Sequence, residues 1–277
     1  MFNKRHIVRT IAATASILAL SFTAACGSGQ STASNSADSN DITQQTYKPG
    51  KLTIATGQPA YEPWVMNDKP ESGEGYEAAV AYAVADKLGF KKSDVVWTRT
   101  AFDTAIAPGA KDWDFNIQQF GITDERKKAV DFSSSYYNDS QSVVVKKDSK
   151  FANATKVSDL KDATVGVMVG TLAYDYAKAN IKDDIQTFND DAALAQALDA
   201  GQIDALVTST VECVYMVQSE QVKDAKVLGR LPDSEDKSGM GIVLPKDSKL
   251  TAAVTKAVDD LNADGTKKLC ETYDLPA

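Results

Sequence analysis

The sequence predicts an α/β fold, and three observations carry that reading: short apolar runs, helical stretches between them, and Gly or Pro at the junctions. Leu52-Thr53-Ile54-Ala55-Thr56 reads as a strand closed by Gly57 and Pro59. A helix follows from Tyr76 to Leu88, with Gly89 as its stop. The spacing then predicts a strand at Val95 to Thr98, a short helix at Phe102 to Ile106, and strands at Phe115 to Gln118, Ser142 to Lys146 and Val165 to Val169. Helical periodicity returns at Leu172 to Ala179 and Ala192 to Leu198, before a strand at Ala205 to Thr208. Such alternation predicts mostly parallel sheets.

Ahead of this domain lies a different kind of segment. Lys4, Arg5 and Arg9 precede an apolar, Ala-rich run from Thr10 to Ala25, which ends in Thr23, Ala24 and Ala25 before Cys26. Charged start, apolar middle and small-residue end are the order of a secretory signal. The run is shorter than the roughly 20 residues a membrane-spanning helix needs. Residues 1–25 therefore read as a signal peptide and residues 26–47, rich in Ser, Thr, Asn, Gly and Asp, as a flexible spacer.

Composition excludes several classes of function. The net charge is −8, and removal of the three cations of the signal leaves about −11, a poor partner for nucleic acid or an anionic membrane surface. The single histidine, His6, lies inside the signal. The remainder thus lacks the residue that Ser-His-Asp and Cys-His catalysis and His-ligated metal sites require. Cys213 and Cys270 are too few and too far apart for a zinc or iron-sulfur cluster, although an oxidising exterior permits them to pair. No internal repeat is visible, and neither G-x-x-x-x-G-K-[ST] nor G-x-G-x-x-G occurs, so no cofactor is expected.

The segment Phe120-Gly121-Ile122-Thr123-Asp124-Glu125-Arg126-Lys127-Lys128, followed by Val130-Asp131-Phe132-Ser133 and Tyr136-Tyr137, resembles the signature of solute-binding proteins that serve polar amino-acid ABC importers. Further marks of that family appear in order: Lys51 to Thr56 with Tyr61 and Pro63, Gly75-Tyr76-Glu77, Val165 to Thr171, Gly201 to Ala205, Gly241-Ile242-Val243, and Ala263-Asp264-Gly265-Thr266. The sequence before Cys26 is similar to a bacterial lipobox, with Thr23 where Leu is usual. That resemblance implies cleavage before Cys26 and a diacylglyceryl group on its sulfur.

The family resemblance implies a two-lobed periplasmic-binding-protein-like (type II) fold with two hinge crossings, near Gln141 to Lys147 and near Lys237 to Ile242. Lobe 1 would comprise residues 48–142 plus 240–277, and lobe 2 residues 143–239. It also implies a monomeric, non-enzymatic receptor at the outer face of the cytoplasmic membrane, with a small solute and a membrane permease as partners. Arg126 matches the arginine that clamps the ligand's α-carboxylate, a task suited to its two parallel donors. The residues alone leave open that Arg126 is a surface cation paired with Asp124 or Glu125.

By the same resemblance Tyr61, Trp64 and Phe102 would wall the ligand, with core packing the open alternative for Trp64. Gly170, Thr171 and Leu172 form the turn into a helix whose free N–H groups favour a carboxylate. Gln58, Gln118 and Gln119 occupy ligand-facing positions, the last two where small residues are common. Two departures concern the α-ammonium: the usual aspartate is Ser209, and a usual serine or threonine is Gly121. Glu62 or Glu212 could supply the missing charge, and neutral groups around the site suggest a neutral polar amino acid, a derivative, or a small carboxylate. A ligand-sensing domain, or a lyase using Glu62, Glu77, Asp103 or Glu212, are the competing readings.

Overall fold

The computed structural model describes residues 41–264. The expected signal peptide, Cys26, Cys270, Gly265 and Thr266 lie outside the described residues. In chain order the elements are β1 (Leu52–Thr56), α1 (Tyr76–Lys87), β2 (Val95–Arg99), α2 (Phe102–Ile106), β3 (Phe115–Asn116), β4 (Val130–Tyr137), β5 (Gln141–Lys146) and β6 (Val165–Met168). They continue with α3 (Leu172–Asn180), β7 (Gln186–Phe188), α4 (Asp191–Asp199), β8 (Ala205–Ser209), α5 (Thr210–Gln218), β9 (Ala225–Arg230), β10 (Met240–Pro245) and α6 (Thr251–Asp264).

Ten strands form two five-stranded sheets, ordered β2-β1-β3-β10-β4 and β7-β6-β8-β5-β9. The expectation of mostly parallel sheets is corrected. β1 pairs in parallel with β2 and β3, and β6 with β7 and β8, but β10 and β5 run antiparallel to both of their neighbours. The reason is the route of the chain: β5 and β10 are the first strands after each passage between sheets, and each enters its sheet from the opposite end. The passages lie at residues 138–140 and 231–239. Gln141 and Ser142 therefore belong to β5 and the second sheet, not to the first lobe.

Each sheet has its own core. α1 and α6 cover one face of the first sheet with Val80, Val84, Val254 and Val258, and all five β1 residues are buried, as a central strand covered on both faces requires. In the second sheet Val165, Val167 and Val207 face one apolar layer, while Val144 and Leu206 face another with Leu194 and Leu198 of α4. The folded region also begins earlier than Lys48. Tyr47 donates its N–H to Asp114 at 2.5 Å, Asp114 accepts from Thr53 N at 2.7 Å, and Ile42 packs on the first core. Residues 42–47 are thereby tied down rather than part of a spacer.

The start of α1 matters for the site. Its orphan N–H groups at Glu77 and Ala78 donate to the Trp64 carbonyl at 2.9 and 3.3 Å. Gly75 (φ 103°) permits this approach, because a Cβ there would lie 2.4 Å from the Trp64 oxygen. Trp64 itself is fully buried and meets Tyr76 and Tyr137 edge-on, with centroids 5.9 and 5.5 Å away. Truncation to Ala in this layer is expected to cost about 3–5 kcal/mol, read as a lower denaturation midpoint at unchanged slope.

Candidate ligand-binding cleft

A cavity of about 80 Å³ lies between the two sheets, several times the roughly 10–15 Å³ that one water requires. The first lobe contributes Tyr61, Phe102, Gln118, Gln119, Gly121 and Arg126. The second contributes Met168, Thr171, Leu172, Ala173, Asp191, Thr208, Ser209 and Glu212. Asp139, Gln141, Asp236 and Met240 come from the two passages or the strand starts beside them.

Arg126 turns into this cleft. Its backbone N–H donates to Thr123 Oγ1 at 3.1 Å, and the neighbouring Lys127 and Lys128 take Asp124 and Glu125 as ion-pair partners. The surface-pair alternative for Arg126 thus falls to the two lysines. Its Nη1 donates to Gly121 O at 2.7 Å and its Nη2 to Gly170 O at 2.8 Å, carbonyls that belong to different lobes. The guanidinium also lies 5.4 Å from the Phe102 ring centroid, and that ring stacks on the buried Phe120 at 4.5 Å. Burial lowers the guanidinium's pKa, while Asp175, Asp236 and Asp103 oppose the shift.

A second electrostatic pole consists of acids. Thr208 Oγ1 donates to Glu212 Oε2 at 2.7 Å and approaches Asp191 Oδ1 at 3.4 Å. Asp139 accepts from Ser140 N at 2.7 Å and reaches Val211 N at 3.4 Å. Burial raises all three carboxyls: Asp191 from 3.8 to about 6, Glu212 well above its ordinary value with Asp191 adding repulsion, and Asp139 upward despite its hydrogen bonds. The carboxylates that act on Arg126 are a different set, Asp175, Asp236 and Asp103, and the cation that acts on Asp139 is Arg230.

Most of the residues expected from the sequence meet in this cavity, but not all. Trp64 is core, and Gln58 is exposed away from the lining. Gly170 borders the cleft with its carbonyl bonded to Arg126, rather than through a free N–H. The Thr171 hydroxyl caps α3, accepting from Tyr174 N at 3.2 Å, and the Ser209 hydroxyl caps α5, accepting from Glu212 N at 3.2 Å. Tyr61 accepts from Ala192 N at 3.3 Å across the lobes, and burial raises its pKa. Glu62 turns away to accept from Tyr215 O–H at 2.6 Å, whereas Glu212 is in the cavity.

Gly121 now has a physical reason. A Cβ there would lie 2.5 Å from Leu172 Cδ1 and 2.9 Å from Asp236 Oδ2, so a serine or threonine would require the ends of those two side chains to shift. Asp139, Asp191, Asp236, Met168 and Met240 were not expected from the sequence. Asp191 follows Asp190 at a helix start and Asp139 follows a tyrosine pair, but neither placement reveals that they converge on Ser209. Cys213 is fully buried in the second lobe, with Sγ 3.7 Å from Thr208 O, and its expected partner Cys270 is outside the described residues. Among the described residues no cluster of His, Cys, Asp or Glu is arranged to hold a metal ion.

Two α/β lobes around a cleft with a cationic and an acidic pole define a class of small-solute-binding proteins. Residues 52–273 match the family described as bacterial extracellular solute-binding proteins, family 3, and the chain belongs to that family. It is 29% identical over 237 residues to the L-arginine-binding protein of Pseudomonas aeruginosa, covering 80% of this chain and 85% of the relative. It is 30% identical over 209 residues to the L-cystine-binding protein TcyJ of Escherichia coli, covering 74% and 76%. Among solved structures, an ancestral arginine-binding protein bound to arginine superposes with a TM-score of 0.67 at 31% identity, over 81% of this chain and 98% of that one.

The acidic pole predicts a pH dependence of the unliganded protein. Because the folded pKa of Asp191 exceeds its ordinary value, the folded state binds more protons than the unfolded chain between about pH 4 and 6. Stability therefore falls as pH rises through that window and stays lower above it. Glu212→Gln should recover on the order of 1–3 kcal/mol at pH 8 and almost nothing at pH 4, measured by urea denaturation.

Proposed function

We propose that this protein is the extracytoplasmic receptor of an ABC importer, held to the outer face of the membrane by lipid on Cys26, and that it captures a polar amino acid between its lobes. The observation that carries this reading is the pairing of Arg126 with the Asp139, Asp191 and Glu212 pole in one cavity. A zwitterion matches both poles. Its α-carboxylate would replace the Gly121 and Gly170 carbonyls as the partner of Arg126, and its ammonium would bring a positive charge to the buried acids.

The acids stand beside Ser209, where the family resemblance led to an expected aspartate. They are supplied by a passage segment and by helix starts instead of by position 209. This arrangement favours an amino acid over a simple carboxylate, which would add a negative charge to a cavity already rich in them. The relatives' names are those of binding proteins, which supports capture rather than turnover.

Calorimetry of the purified protein against the common amino acids tests the reading. Arg126→Ala should weaken the bound amino acid at least about 30-fold, the consequence of leaving a buried carboxylate unpaired. Undiminished affinity would remove Arg126 from the role. The anchor is tested separately: palmitate labelling in cells is expected for the intact chain and its loss for Cys26→Ala.

A further inference from the structure

Glu77 is a buried carboxylate beside the cleft that the proposed capture does not use. It is fully inaccessible in the first turn of α1, behind the cleft wall. Three donors converge on it: the Gln119 backbone N–H at 2.7 Å, the Gln119 side-chain Nε2, and the Tyr136 hydroxyl. Gln119 lines the cavity and holds φ at 51°, in the left-handed region that non-glycine residues seldom occupy. A backbone strained in this way persists only when its surroundings over-determine it, and Glu77 grips both its backbone and its side chain.

The donor count fixes the chemistry. A carboxyl group receiving three donors has no bond left that requires its own proton, so the acceptor-only carboxylate is the form that satisfies this site. An amide facing a carboxylate must present its nitrogen, which leaves its carbonyl oxygen for the other side. The adjacent Gln118 points to the same need, since its Oε1 is buried in the cleft wall with no hydrogen-bond partner.

We propose that Glu77 is a positioning residue that locks the Gln119 amide with its nitrogen in the wall and its carbonyl oxygen toward the solute, so that this part of the cleft selects an N–H donor. The inference rests on the reading of the cavity as a solute site. The titratable group bonded to Glu77 is Tyr136 on β4, on which Tyr76 of α1 acts in turn. Burial raises its carboxyl to about 7, with the Tyr136 and Gln119 bonds opposing the shift. The lock is therefore set above neutrality and loosened below it.

The test has two arms. In ligand-free protein, the side-chain amide of Gln119 is followed by ¹⁵N NMR between pH 6 and 8.5 and assigned by its absence in Gln119→Ala. The wild type should titrate near pH 7, and in Glu77→Gln the titration should vanish and the amide protons exchange at least about tenfold faster. An amide that ignores both pH and the substitution overturns the lock, and the wild-type titration decides this even if the variant does not fold.

The second arm is calorimetry at pH 8 with L-arginine, L-glutamine and L-cystine as probes. For a probe that binds, Glu77→Gln should weaken affinity about tenfold, and Glu77→Gln combined with Gln119→Ala should bind no worse than Gln119→Ala alone. Additive losses overturn action through Gln119. Failure of the wild type to bind all three counts against the amino-acid reading, while the NMR arm still decides the lock by itself.

Discussion

The guanidinium of Arg126 donates to one carbonyl in each lobe, Gly121 O and Gly170 O, and the geometry of the cleft follows from that bridge. With both carbonyls on one planar fork, the lobes are close enough that Leu172 and Asp236 crowd position 121. Tyr61 with Ala192 and Tyr215 with Glu62 add two more hydrogen bonds between the lobes. The bridge uses two charged donors on neutral carbonyls, and a carboxylate is the stronger acceptor for such a fork.

The opposite pole shows the complementary strain. Asp139, Asp191 and Glu212 are held by hydroxyl and backbone donors, yet burial raises all three carboxyls, and the Arg230 charge that acts on Asp139 does not offset it. A fold maximised for stability would place apolar groups there. Retaining acids in a cavity costs stability above neutral pH, and under the proposed function that cost is the counterpart of binding a positively charged group.

Much of the fold was legible because its inner strands are short apolar runs flanked by breakers. β1, β3, β5, β6 and β8 and helices α1 to α4 were readable that way, and so was β2 although it lies at a sheet edge. The strands that escaped notice had other causes. β4 carries Ser133-Ser134-Ser135 in its middle and is a strand because β10, more than a hundred residues later, pairs with it. β7 and β9 are edge strands with partly exposed residues, so they lack the apolar signal of a covered strand. Residues 42–47 look like spacer by composition, and only the Asp114 carboxylate and the apolar layer under Ile42 tie them to the domain.

By itself the sequence determined the fold class, the family through its Ile122 to Tyr137 motif, and Arg126 as the cleft cation, since local periodicity and a contiguous motif survive in one dimension. The tertiary structure alone decided where the negative pole comes from. Asp139, Asp191 and Glu212 lie on three separate segments, and they meet only because β5 and β8 pair and α4 and α5 start at the same end of the second sheet. It also decided that Trp64 is core and that Glu77 stands behind Gln119, because burial and the direction of a side chain depend on what packs against it.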